Sequence, residues 1–243
     1  MTDFAGLKLG KLSPRCPVDL KDMAVYAPAL LAPPPARVDY FDKVPSYPMA
    51  LNDRFGDCVV GGAVHARQTW AAEVNLEEAV PADAVIQSTY FGLTGGQDTG
   101  LVEASFLETW RTKGMFGGKI DGYAPVHPQH ADAVKNCIDL FGCAFVGVQL
   151  PQSAEQQFGA GQPWTVVDSS PLIGGHCVIL AGYDANWLYA ITWGLVQRAT
   201  WSWWQTYGDE CWAILSSEFQ EAGKGPVLNL AALKADLPAL KDA

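Results

Sequence analysis

The sequence predicts an α+β fold in which a helical half faces a β half across a cleft, and two observations predict it. Up to about residue 141 the apolar residues recur at helical spacing, whereas from Cys143 onward they fall in short period-two runs bounded by Gly, Asp and Asn. Helices first and sheet second suits segregated layers rather than alternating βα units. With 243 residues, 49% of them hydrophobic, the chain can bury a sizeable core.

Taken in order, residues 1–37 carry Pro14, Pro17, Pro28 and the run Pro33-Pro34-Pro35, which forbids long helices and predicts an extended arm on the domain surface, able to reach a partner. A domain over 38–222 follows. Its first helix runs from Cys58 to about Val74 and is apolar nearly all round at its start, which marks it as central and buried. A second spans Leu101 to Lys113 and ends at Gly114, where glycine accepts the left-handed cap; a third covers about Gln129–Phe141 and stops at Gly142. The runs 143–150, 174–184, 187–194 and 211–216 read as strands. A tail over 223–243 places Leu230, Leu233, Leu237 and Leu240 at helical spacing, with Pro238 kinking the last turn, and it can dock on its own domain or on a neighbour.

Charge and composition exclude several functions. A formal charge of −10 and the absence of a Lys/Arg cluster argue against nucleic acid as a partner. No apolar run approaches a membrane span, and the opening MTDFAGLKLGKLSP lacks the apolar core of a signal peptide, so a cytoplasmic or virion-associated protein with no membrane partner is expected. The six cysteines are scattered without CxxC pairs and read as free thiols.

Chemistry concentrates in two stretches. In LNDRFGDCVVGGAVHA (51–66), Cys58 opens a helix after Gly56 and Asp57. A helix N-terminus stabilises a thiolate, and its first N–H groups can hold an oxyanion. The plainer alternative is a small buried hydrophobe, the usual fate of a free cysteine. A nucleophile also needs a base. His65 lies two turns up the same helix, too far along the axis to serve. His127 and His130 complete no metal site at a recognisable spacing, so neither metal nor cofactor is expected. His176, opening the strand GGHCVILAGYD, is placed to project into the cleft and pair with Cys58, although a structural histidine at a strand end would read the same way. The tryptophan-rich TWSWWQTYGDECW (200–212) reads as core and sheet-face packing.

Together these stretches resemble the papain-like cysteine peptidases. Asn52 stands six residues before Cys58, where that family has Gln; GGHCVILAGYD is similar to its His strand; ITWG (191–194) is similar to its NSWG motif; ARVDYFDKV resembles its VDWR start; and DTGLVEASFLETWRTKGMFG (98–117) resembles its cleft segment. The resemblance covers residues 36–216 by order and spacing, and it implies a papain-like two-lobed fold with the central helix opening at Cys58. It also implies cleavage of a peptide or amide bond in a peptide or protein substrate. Cys58 would attack the carbonyl, His176 would serve as base, Asn52 and the Cys58 N–H would hold the oxyanion, Trp193 would shield His176, and Gly100 and Gly175 would flank the substrate groove.

Four departures accompany the matches. The family's orienting Asn falls at Ile191, which leaves Thr192 as the nearest polar substitute although it faces the other side of an ideal strand, with Asp209 and Glu210 as further candidates. The family's disulfide is replaced by Phe55 and Asp98. An inhibitory pro-domain is not expected before Cys58. Asp57, just before the nucleophile, would raise the thiol's pKa if turned inward or cap the helix if turned to its N–H groups. These departures, with the arm and tail, keep open a second expectation: a weak or inactive papain-like module in a virion or bacterial assembly, partnered through residues 1–37 or 223–243.

Overall fold

In the computed structural model the described residues are 7–14, 20–76 and 80–237. Cys16, Pro17, Pro238 and Leu240 lie outside them. The chain folds as helices α1 (Cys58–Glu73), α2 (Asp83–Leu93) and α3 (Glu103–Lys113) followed by a sheet, with α4 (Ala131–Phe141) and α5 (Gln152–Gly159) between strands. The strands β1 (Val38–Asp39), β2 (Ile120–Pro125), β3 (Ala144–Pro151), β4 (Leu172–Tyr183), β5 (Trp187–Thr192), β6 (Leu195–Thr200) and β7 (Gly208–Ser216) form one antiparallel sheet. Its order is β2-β7-β3-β4-β5-β6, with β1 on β4. The fold is α+β, as the change of period predicts.

The central helix α1 is buried along almost its whole length and lies against β4. Gly62 permits the approach: a Cβ there would stand 3.0 Å from the Phe145 ring and 3.3 Å from the Cys177 sulfur. This contact brings the first turn of α1 to the strand that carries His176.

Three parts of the chain depart from expectation. The strand read over 187–194 ends at Thr192, because Trp193 and Gly194 both take left-handed φ (46° and 75°) and turn the chain directly into β6, with Thr192 opposite Leu195. Within TWSWWQTYGDECW, α6 (Trp201–Tyr207) forms after the Thr200 side chain caps Trp203 N–H, and it buries Trp203 and Trp204. Trp203 stacks on Trp164 at 4.5 Å, while Trp204 Nε1 donates to Pro128 O. Finally, residues 20–37 of the proline-rich stretch are packed on the domain and do not form a surface arm. Met23, Tyr26, Ala27 and Leu30 are core residues in short 3₁₀ turns, because carbonyls that cannot pair in a helix find side-chain donors: Asn136 Nδ2 donates to Leu30 O and Ala32 O, and Tyr183 OH to Pro35 O.

The tail docks on its own chain. The last described helix (Leu230–Asp236) buries Leu233, and Leu237 beyond it, over Gly122 of β2. Asp236 accepts from Lys21 Nζ and Tyr26 OH.

Candidate active site

Cys58 is the first residue of α1, and its sulfur accepts a hydrogen bond from Cys177 N–H at 3.4 Å. That bond sets the thiol against β4, at the residue that follows His176 in the strand. On the imidazole, Nε2 lies 2.7 Å from Thr192 Oγ1, and Nδ1 has no hydrogen-bond partner among the described residues. The Trp193 indole stacks on the same ring at 4.3 Å, tilted by 18°, and leans edge-on against Phe158 and Trp164.

The ideal-strand argument against Thr192 is overturned. Thr192 is the last residue before the Trp193-Gly194 turn, and its hydroxyl reaches His176, while Ile191 pairs with Ile179 inside the core. Asp209 and Glu210 are not orienters either: both bind Lys11, at 2.8 and 3.0 Å.

Residues 8–12, Lys-Leu-Gly-Lys-Leu, lie in the groove instead of leaving it free. Lys8 N–H donates to Asn52 O, Lys11 N–H to Gly175 O, Leu101 N–H to Gly10 O and Leu12 N–H to Leu101 O. This is strand addition to two edges at once, parallel to Leu101 and antiparallel to Gly175. The segment fits because glycines face it. A Cβ on Gly100 would stand 2.2 Å from Gly10 O, one on Gly175 2.3 Å from Lys11 O, and one on Gly10 itself 1.7 Å from Gly56 O. The Gly10 backbone also acts on the Cys58 thiol, opposing the rise that burial imposes on it. No sequence pattern announced this contact: residues 7–12 read Leu-Lys-Leu-Gly-Lys-Leu, in which a period of two breaks at Gly10 and Lys11.

Asn52 contributes its Nδ2 to Lys8 O at 3.2 Å and to Phe55 O at 3.1 Å, so the amide is aimed at a carbonyl of the chain's own segment. Asp57 points inward. Its carboxylate is fully buried without a capping bond, its oxygens have no hydrogen-bond partner among the described residues, and burial pushes its pKa up to about 8 despite the Asn52 amide alongside. In place of the family's disulfide, Asp98 Oδ1 accepts from Gly56 N–H at 2.9 Å and from Tyr90 OH at 2.6 Å, while Phe55 packs edge-on against Phe91. A carboxylate thus ties the two loops that border the groove, a role that sequence alone did not reveal.

Burial disfavours the charged forms of both Cys58 and His176. The Cys58 thiol is pushed up to about 12 and the His176 imidazole down to about 3. His65 is held near 4 by burial and bonds Pro48 O, and His130 caps α4 through Nδ1, so neither ring faces the thiol. Among the described residues no cluster of His, Cys, Asp or Glu could hold a metal, and all five described cysteines are free. No helix is long and apolar enough to cross a membrane.

Neither a protein-family model nor a curated protein sequence matches the chain. Among solved structures it is similar to xylellain, a cysteine protease from Xylella fastidiosa, at a TM-score of 0.69 and 15% identity, over 87% of this chain and 97% of that one. The likeness is one of fold, and it makes the α+β architecture that of a papain-like cysteine protease.

Proposed function

We propose that the chain is a papain-like thiol hydrolase that cleaves a peptide or amide bond through a thioester at Cys58, and that residues 8–12 keep it latent. In this reading a substrate replaces the segment and solvates the pair. His176 takes the thiol proton, the sulfur bonds the carbonyl carbon, and the oxyanion rests on Cys58 N–H and Asn52 Nδ2. The C–N bond then breaks as His176 returns the proton to the amine. Water, deprotonated by the same ring, hydrolyses the thioester and restores the thiol.

One observation carries the reading: the imidazole is held from behind by Thr192 and Trp193, its other nitrogen is unengaged, and the Cys58 sulfur is bonded to the next residue of the same strand. Core packing alone gives no reason for that combination. The test is to displace the segment in the full-length chain with Gly10→Ala, whose added carbon collides with the Gly56 backbone. The variant is expected to hydrolyse peptides, and Cys58→Ala or His176→Ala on the same background to abolish this. The filled groove and the neutral pair favour a second reading, an inactive papain-like module. A folded Gly10→Ala chain whose Cys58 stays as unreactive to iodoacetamide as its other thiols would establish that reading instead.

A further inference from the structure

The hydrogen bonds that hold residues 8–12 are made by backbone and would serve any extended peptide, so selection among peptides must come from side-chain pockets. One such pocket is filled. The Lys11 side chain, wholly buried, leaves the groove beside Gly10, crosses the bare backbone of Gly147, and ends with Nζ 2.8 Å from Asp209 and 3.0 Å from Glu210. A Cβ on Gly147 would stand 2.0 Å from Lys11 Cε, so the missing side chain in β3 is what opens the passage. Glu103, at the start of α3, is fully buried, and its charge acts on Lys11.

Two carboxyl groups therefore hold the ammonium directly, and the charge of a third, Glu103, acts on it. Burial raises both Glu103 and Glu210, while Lys11, despite the desolvation that opposes its charge, is raised by the acids around it. An apolar occupant would leave buried carboxylates without a counter-charge, and an acidic one would add to them. Gln149 Nε2 and Trp212 Nε1 take one oxygen each from Asp209 and Glu210, which fixes both acids in orientation without supplying a cation.

Resting on the thiol-hydrolase reading for its use, we propose that Glu103, Asp209 and Glu210 form a cation-selective subsite that accepts a lysine or arginine side chain of the substrate one residue away from the residue seated on Cys58. Lys11 occupies it as a stand-in for that side chain. The segment and the substrate then compete for one acidic pocket as well as for one groove.

The test separates binding from turnover. A labelled hexapeptide LKLGKL, matching residues 7–12, and versions with Arg, Met or Glu at its fifth position are titrated against full-length Gly10→Ala protein, and binding is read by fluorescence anisotropy. The Lys and Arg peptides are expected to bind at least about tenfold more tightly than the Met and Glu peptides, and Glu210→Gln to shrink that ratio. Equal binding, or no binding by any peptide, overturns the subsite. In parallel, unblocked Gly10→Ala protein digests a mixed peptide library, and cut sites are expected to carry Lys or Arg second from the broken bond. Cutting without that preference overturns the subsite and leaves the hydrolase reading standing. Selective binding without cutting does the reverse. Should Gly10→Ala lose its fold by circular dichroism, Lys11→Met and Lys11→Arg in the otherwise unaltered chain decide the matter. Iodoacetamide should label Cys58 at least about tenfold faster in the Met variant than in the Arg variant, and equal rates would refute the pocket's role.

Discussion

His176 Nε2 and Thr192 Oγ1 stand 2.7 Å apart, and this contact holds the imidazole from one side. A hydroxyl can donate or accept there, so it holds the ring in either protonation state. Thr192→Val keeps the shape and removes the bond. With the segment displaced, its kcat is expected to fall on the order of tenfold, the equivalent of one hydrogen bond of about 1–2 kcal/mol, with KM little changed. Thr192→Ser should recover most of the rate. An unchanged kcat in the Val variant would mean that Trp193 stacking alone positions the ring.

The contact between Gly10 and Cys58 makes thiol reactivity a report on the segment. In the unaltered chain Cys58 should react slowly with iodoacetamide near neutral pH, because its thiol stays protonated up to about pH 12. Gly10→Ala should speed labelling of Cys58 at least about tenfold and leave Cys137, Cys143 and Cys211 as they were, since these are buried in the core. Mass spectrometry of the labelled peptides reads this directly.

Stability should depend on pH in two windows of opposite sign. His176 near 3 and His65 near 4 lie below the ordinary 6.5, so the unfolded chain takes up protons that the folded one refuses; their contribution is complete above 6.5 and drains away as the pH falls toward those values. Asp57 runs the other way. Its proton stays on in the fold to about 8 but leaves the unfolded chain near 3.8, so its contribution is complete below 3.8 and is lost as the pH rises through about 8. Asp57→Asn, nearly the same shape and uncharged, is expected to flatten the alkaline limb of melting temperature against pH. A limb of unaltered slope would show that another group causes it.

Asp98 binds Gly56 N–H and Tyr90 OH with one oxygen, in the place of a covalent tie. Asp98→Ala leaves a partly buried N–H and a hydroxyl without their acceptor, and a loss of about 1–3 kcal/mol in unfolding free energy is expected from denaturant titration. Faster Cys58 labelling should accompany it, because Gly56 O packs against Gly10.

Much of the fold was legible because its signals are local. The apolar helix at Cys58, the glycine stops at Gly114 and Gly142, and the period-two runs of β3 and β4 each need only a window of neighbouring residues. The places of Cys58 at the first turn of α1 and of His176 on β4 were legible through the order of motifs. Three features were not. The reach of Thr192 depends on a two-residue turn that a strand pattern does not announce. The acidic pocket is assembled from α3 and β7, more than a hundred residues apart, with a lysine from the far N-terminal side. The residues of the proline-rich stretch look like surface until the carbonyls they cannot pair locally find Asn136 and Tyr183.

Because the blocking segment and the thiol belong to one polypeptide, dilution cannot separate them. A covalently tethered occupant presents itself at an effective concentration on the order of millimolar, whatever the amount of protein in the tube. A free peptide must therefore either outbid that local concentration or arrive after the tether has been cut or pulled aside. Activity, where it appears, should then scale with the fraction of chains whose residues 8–12 have left the groove, and not with the total quantity of protein present.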